Sequence, residues 1–232
     1  MNNQKKLISP RIIIQLLFFI VLIPFLPLLI SRRWDWWEAW VYALLSILSF
    51  VVSRVLVARR HPDLIAERSQ YMQQENTQSW DKHLAPLMGL GGILVLVIAG
   101  LDSLLDWSPD FSLPVKIFTL VIILGGYVLS SFALIENRFF SGTVRLQTER
   151  GHQVVSGGPY RWMRHPGYAG AMLVYMVTPL FLDSPLAFLP TLFTLGLYIL
   201  RTTLEDRFLQ DELEGYRDYA KRVRYRLFPG IW

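Results

Sequence analysis

Residues 167–200 read GYAGAMLVYMVTPLFLDSPLAFLPTLFTLGLYIL, a stretch whose single formal charge, Asp183, stands beside Ser184 and Pro185. An acid and a proline in the middle of an apolar stretch break it into runs of 16 and 15 residues. At 1.5 Å per residue each run spans about 22 to 24 Å as a helix. The stretch is therefore expected to fold back on itself, a helical hairpin whose tip sits near the far interface of a membrane.

The chain upstream supports a membrane reading. Four runs, Ile12–Ile30, Ala39–Ser53, Leu84–Leu101 and Ile117–Ile135, carry no charge, and with some snorkelling at their ends they can cross a hydrocarbon layer about 30 Å thick. Hydrophobic residues make up 53% of the 232 and the mean hydropathy is +0.34, outside the range of ordinary soluble domains. The expected fold class is all-α: a polytopic membrane helix bundle of four spanning helices, a C-terminal membrane hairpin and a cytoplasmic interfacial helix. It is expected to form one domain over 1–232, with four membrane helices in 1–136 and a cofactor-binding connector, hairpin and C-terminal helix in 137–232. The first run follows Lys5, Lys6 and Arg11 but lacks a small-residue cleavage site and ends in SRRWDWWEAW, so it is read as a membrane helix and not as a signal peptide. The absence of cysteine excludes disulfides, thiolate metal sites and cysteine nucleophiles.

With six crossings, 20 of the 23 Lys and Arg residues fall on one side, leaving Arg32, Arg33 and Lys116 on the other. The positive-inside rule then predicts cytoplasmic termini, with the 147–168 segment on the same side. That distribution accounts for the net charge of +5 without nucleic acid.

Local signals refine this outline. Pro24 and Pro27 should kink the first helix, and Trp34, Trp36, Trp37 and Trp40 read as an interfacial aromatic belt. Arg60-His61-Pro62 reads as a helix start with proline at an early position. Gly89, Gly91 and Gly92, like Gly125 and Gly126, lie inside apolar runs with no preceding strand, so close helix packing is expected and not a nucleotide loop. Asp102, Asp106 and Asp110 are expected on a solvated outer loop. Glu205 to Arg226 mixes acidic, basic and aromatic residues at helical spacing, as an interfacial helix does.

The polar stretch before the hairpin, QTERGHQVVSGGPYRWMRHPGY from Gln147 to Tyr168, is where a charged ligand can be held. Helix starts leave free backbone N–H groups, and Pro166 opens one. Gly157 and Gly158 permit close backbone approach, Tyr160 and Tyr168 offer stacking faces, and His165 a donor or acceptor. Arg201 and Glu205 leave the other arm four residues apart, on one helical face. The two open ends of a hairpin are neighbours, so one pocket can draw on both. Such a pocket suits a cationic or zwitterionic small molecule, which meets the Glu205 carboxylate and aromatic faces. Taken singly, the arginines also read as membrane anchors and the tyrosines as interfacial aromatics; their convergence favours a site.

RLQTERGHQVVSGGPYRWMRHPGYAG, then an apolar hairpin, then RTTLEDRFL and GYRDYAKRVRYRLFPGIW, resembles the membrane-embedded isoprenylcysteine carboxyl methyltransferases and their phospholipid N-methyltransferase relatives. The resemblance covers Gln147 to Trp232. It implies a fold without a Rossmann domain that binds S-adenosylmethionine at the cytoplasmic end of the last helices. The implied cofactor contacts are Gln147, His152, Gln153, Val154, Val155, Tyr160, His165, Pro166, Gly167, Tyr168 and Glu205. The family's substrate-binding arginine falls on Arg201, so Arg201, Glu205 and His165 are the candidate catalytic residues. Two departures stand out: the link from Gln147 to His152 is two residues shorter than in the animal enzymes, and Asp206 occupies a position where phospholipid methyltransferases often have a second glutamate.

The expected activity is S-adenosylmethionine-dependent methyl transfer to a lipidic acceptor entering from the bilayer, most like isoprenylcysteine carboxyl O-methylation, among membrane lipids and without metal or nucleic acid. Phospholipid N-methylation and small-thiol S-methylation remain open, with His165 or Glu205 as base. A transporter or membrane scaffold is the alternative of another class. It fits less well, because ionisable groups gather at the ends of the apolar runs and not at mid-membrane.

Overall fold

The computed structural model describes residues 18–69 and 76–232. Ile12 to Leu17 of the expected first helix, the basic residues Lys5, Lys6 and Arg11, and Gln70 to Glu75 lie outside the described residues. Among those described, the fold is all helical. The first segment is irregular, a π-turn over Phe18–Leu22 and a 3-10 turn over Ile23–Phe25 leading into α1, Leu26–Ser31. Pro24 and Pro27 remove N–H donors from the i to i−4 ladder, which accounts for the break in helical regularity.

Then follow α2 (Trp37–Arg60), α3 (Pro62–Ser69), α4 (Asp81–Leu105), α5 (Leu113–Glu136), α6 (Pro166–Phe181), α7 (Phe188–Glu212) and α8 (Tyr216–Arg222). Four segments are long and apolar enough to cross a membrane: α2, α4, α5, and Pro185–Glu212, which contains α7. Their outward faces carry the apolar side chains that a bilayer would cover, among them Leu48, Phe118, Val128 and Leu189. α3 begins at Pro62, as the Arg-His-Pro triplet predicts.

Helices α5 and α6 make the most extensive contact of the bundle, and small residues allow it. A Cβ on Gly170 would lie 2.5 Å from the Gly126 carbonyl oxygen, and one on Gly126 would lie 2.6 Å from that of Gly170. Gly91 faces Thr194 and Gly92 faces the Tyr175 hydroxyl in the same intimate way, whereas Gly89 and Gly125 face open space. Helix packing thus explains three of the five glycines read that way.

The hairpin forms, with one arm of the expected length. α6 has 16 residues, and the turn passes through Asp183 in the left-handed region (φ 52°). α7, however, runs for 25 residues, past Arg201 and Glu205 to Glu212. The onset of charge at Arg201 does not end the helix, because no glycine or proline occurs until Gly215, which takes φ 79° and does. The interfacial helix expected from Glu205 to Arg226 is therefore the end of α7 plus the short α8.

At the hairpin-tip end of the bundle Asp106 and Asp110 lie exposed on an irregular loop as expected, but Asp102 does not, and it is joined there by other buried charges. Lys116 bridges Glu38 and Asp183, the latter at 2.7 Å, and all three are buried. Asp102 is 2% exposed and accepts the Ser184 hydroxyl at 2.6 Å and the Ser108 hydroxyl at 3.1 Å. Buried ions persist where partners offset their desolvation, so these groups staple the hairpin tip to α2, α4 and α5. Trp36, read as an interfacial anchor, instead lies in the core with Phe181 and Leu28.

Candidate active site

The opposite end of the bundle is organised by the start of α6. A residue before proline is pushed out of helical geometry, and His165 (φ −125°, ψ 61°) is the last such residue before Pro166 opens the helix. The N–H groups of Arg164 and His165 donate to the carbonyls of Tyr225 and Arg226, each at 2.9 Å. The C-terminal segment is thereby fastened beneath the two residues that precede the helix.

One carboxylate holds this region together. Asp206, fully buried on α7, accepts from Arg164 Nε (2.6 Å) and Nη2 (2.9 Å), Arg226 Nε (2.9 Å), Gln210 Nε2 (2.8 Å) and the Tyr216 hydroxyl (3.1 Å). His165 Nε2 lies 3.4 Å from the same carboxylate and 3.5 Å from the Tyr216 hydroxyl. Arg164 uses Nη1 on the carbonyls of Val223 (2.8 Å) and Arg224 (3.1 Å). The ring of His165 is thus committed at one nitrogen and stacks parallel to Tyr168, centroids 5.8 Å apart.

Next to this hub, Tyr168 donates its hydroxyl to Glu205 Oε2 at 2.5 Å, joining α6 to α7 one turn inside the helix start. The Arg201 guanidinium lies 5.4 Å from the centre of the Tyr168 ring. Its fork is already engaged. Nε and Nη2 donate to the two oxygens of Asp81 at 2.8 and 2.9 Å, and Nη2 also reaches the Gly142 carbonyl at 3.1 Å. If Arg201 is the substrate-binding arginine that the resemblance implies, it has one edge to offer, Nη1, which has no partner among the described residues.

The connector supplies the facing wall. Gln153, Val154 and Val155 run without regular structure, and their backbone groups bond to no other described residue. His152 packs against Phe139, centroids 4.6 Å apart, and its Nδ1 accepts the Gln147 N–H at 3.3 Å, which leaves Nε2 to carry the proton of a neutral ring. Burial, followed by the charges of Arg145 and Arg150, pushes its pKa down to about 4. Tyr160 is buried, bonded to Asn137 and to the Ala133 carbonyl, and burial raises its phenol far above the usual range.

These walls enclose a cleft of about 740 Å³, open mouth included. Of the sequence candidates, His152, Gln153, Val154, Val155, Tyr160, His165, Gly167, Tyr168, Arg201 and Glu205 line it. Gln147 and Pro166 do not. Gln147 is fully buried and spends its amide on the Phe139 carbonyl (2.7 Å) and on Arg150, while Pro166 serves as the first residue of α6. Gly157 and Gly158 are also placed differently from expectation: their close approach is to Glu136 and Phe132 at the end of α5, not to the cleft. The sequence reading did not include Asp81, Asn137, Phe139, Phe140 and Tyr216, and it gave Asp206 no role of its own. Asp81 looks like an ordinary acid in the first turn of a helix, so only its partner reveals it.

The electrostatics follow from the pairings. Three arginines line the cleft, and each is matched by a carboxylate behind it: Arg145 by Glu67 and Glu149, Arg164 by Asp206, Arg201 by Asp81. Among the described residues Glu205 is the one lining carboxylate, and it makes no ion pair. The cleft therefore presents one uncompensated negative charge among aromatic rings, an environment suited to a cation.

Residues 118–211 match the isoprenylcysteine carboxyl methyltransferase (ICMT) family. Over 109 residues the chain is 33% identical to a probable protein-S-isoprenylcysteine O-methyltransferase of Oryza sativa subsp. indica, covering 45% of this chain and 56% of that one. It is 30% identical over 120 residues to the protein-S-isoprenylcysteine O-methyltransferase of Saccharomyces cerevisiae, covering 49% and 50%. To protein-S-isoprenylcysteine O-methyltransferase B of Arabidopsis thaliana it is 28% identical over 109 residues, covering 46% and 55%. The matched stretch spans about half the length of these relatives.

Proposed function

We propose that this chain, whose residues 118–211 match the isoprenylcysteine carboxyl methyltransferase family, belongs to that family and transfers a methyl group from S-adenosylmethionine to the carboxylate of an S-prenylated cysteine. The observation that carries the reading is the charge balance of the cleft: every lining arginine is neutralised, and Glu205 is left as an unpaired anion beside Tyr168. A sulfonium cofactor is cationic, aromatic at one end and rich in backbone-like polar edges. The donor set fits it, with Glu205 for positive charge, tyrosine and histidine rings for stacking, and the unused backbone of 153–155 for a polar ring edge.

When bound, S-adenosylmethionine supplies a methyl carbon on a sulfonium leaving group. A carboxylate acceptor would take that carbon with the carbon–sulfur electron pair left on sulfur, so no residue of this chain would need to move a proton. The protein's task is alignment, which contributes about 7 to 11 kcal/mol in well-oriented reactions. Glu205 holds the cationic partner, and Tyr168 fixes Glu205 by donating to Oε2. His165, braced by Asp206 and Tyr216, supports the Tyr168 ring and is not needed as a base. Phe139, Phe140, Val155, Leu209 and Leu213 exclude water. Arg201 Nη1 meets the acceptor's anionic group. We place the cleft on the cytoplasmic side, supported by the uneven split of Lys and Arg, and the acceptor's apolar tail in the bilayer.

The test is methyl transfer in lipid nanodiscs with methyl-labelled S-adenosylmethionine and an S-prenylated N-acetylcysteine. The expected product is an ester, so mild alkali releases its label as methanol. Label retained in alkali-stable lipid headgroups or thioethers would replace this reading with N- or S-methylation. No incorporation into any acceptor would refute the enzyme reading.

A further inference from the structure

Asp81 opens α4 with no exposed surface. Oδ1 accepts Arg201 Nε at 2.8 Å, and Oδ2 accepts both Arg201 Nη2 at 2.9 Å and the Val144 N–H at 2.7 Å. Gln78 N–H returns a bond to the Val144 carbonyl at 2.9 Å. One side chain thus grips α7 through its arginine and the connector through its backbone. Both of those elements line the cleft.

The pairing is not the one that chain proximity favours. Glu205 lies four residues beyond Arg201 on the same helix, a spacing at which ion pairs form readily, yet Arg201 turns to Asp81 and Glu205 bonds to Tyr168. The consequence is a division of charge. Glu205 keeps its charge for a cation, while Arg201 has most of its charge cancelled and all but one edge occupied. Building on the methyltransferase reading above, we propose that Asp81 is a positioning residue that mutes and aims Arg201, so that the acceptor's carboxylate is held by Nη1 alone.

A free, fully charged guanidinium would grip a carboxylate through both oxygens. Such a grip stabilises the bound anion and occupies the lone pairs that must attack. Binding strength gained in the ground state does not raise turnover. A muted arginine held in one orientation gives up acceptor affinity and keeps one oxygen free.

This predicts opposite movements of two constants, which loss of structure alone does not produce. In nanodiscs, Asp81→Asn should lower KM for the S-prenylated cysteine by about tenfold or more, because it removes the negative charge that opposes the acceptor's carboxylate at Arg201. It should also lower kcat about tenfold while the Kd for S-adenosylhomocysteine stays within about twofold. Asp81→Glu keeps the charge, so KM should stay within about twofold of wild type with a reduced kcat. An unchanged or raised KM in Asp81→Asn, or cofactor affinity lost in step with activity, overturns the proposal. Should Asp81→Asn fail to fold, Asp81→Asn/Arg201→Gln leaves no buried charge unpaired. It should bind the carboxylate ligand no better than its carboxamide, and retained preference for the carboxylate overturns the proposal. Failure of the wild type to methylate the acceptor refutes the methyltransferase reading and takes this proposal with it. Failure of the Asp81 proposal alone shows as wild-type turnover with an unshifted KM in the variant.

Discussion

Asp206→Asn should be among the most damaging isosteric substitutions in the chain. The aspartate has no exposed surface and its main partner, the Arg164 side chain, is 7% exposed, so removing the negative charge leaves a buried guanidinium uncompensated. Breaking a buried pair from one side costs about 3 to 5 kcal/mol. Asparagine keeps one acceptor oxygen, and Arg164 keeps its bonds to the Val223 and Arg224 carbonyls, which favours the lower end, about 3 kcal/mol. For a chain of this length that corresponds to a fall in Tm of about 6 to 12 °C. The assay is thermal unfolding in detergent, followed by tryptophan fluorescence, with Asp211→Asn as comparator. Asp211 pairs with Arg217 at 2.9 Å, but both side chains are more than half exposed, so its loss should cost less than about 1 kcal/mol. If the two variants melt together, Asp206 does not hold the C-terminal segment beneath His165, and the account of the hub is wrong.

Three further outcomes are expected. Glu205→Gln should weaken S-adenosylmethionine by about tenfold and S-adenosylhomocysteine much less, since only the former carries the sulfonium charge; calorimetry giving equal losses would contradict the cation-site reading. His152, whose pKa is held near 4, binds fewer protons folded than unfolded, so its contribution is full above the ordinary value of about 6.5 and is lost as pH falls towards 4. His152→Gln should flatten the stability profile in that window by about 1 to 2 kcal/mol after allowance for partial exposure, and an unchanged pH slope would count against it. Gly170→Ala, whose Cβ would meet the Gly126 carbonyl oxygen at 2.5 Å, should cost about 1 to 3 kcal/mol, whereas Gly89→Ala meets nothing within 4 Å and should be neutral or slightly stabilising; equal melting temperatures would refute the α5–α6 packing argument.

Much of the fold was legible because membrane helices announce themselves by length and absence of charge. Asp183 marked the hairpin turn and Pro62 the start of α3, since acids and prolines act locally on the backbone. Legibility failed where charge was taken as a proxy for exposure. Arg201 was read as the end of the membrane arm and Asp102 as a solvated acid, yet α7 continues to Glu212 and Asp102 is 2% exposed. Hydropathy reports what a residue costs to bury unpaired. It does not report whether a partner waits at the burial site.

The same limit governs the cleft, with larger consequences. Read along the chain, the lining is rich in Arg145, Arg164 and Arg201 and holds a single acid, Glu205, a count that describes an anion site even though Glu205 and the aromatic faces pointed to a cation. The partners that cancel those arginines lie 78, 42 and 120 residues away in sequence, at Glu67, Asp206 and Asp81. No periodicity links such positions, because they belong to different helices and meet only when the bundle closes. The nearest acid, Glu205, would on spacing alone be assigned to Arg201, which would leave the cleft with no anion at all. Folding reassigns it. Tyr168, one residue past Gly167 at the start of α6, takes the glutamate by a neutral hydrogen bond that leaves its charge standing. The sign of the cleft is therefore set by which carboxylate each arginine finds, and the acid left over, Glu205, is the group that a positively charged methyl donor can use.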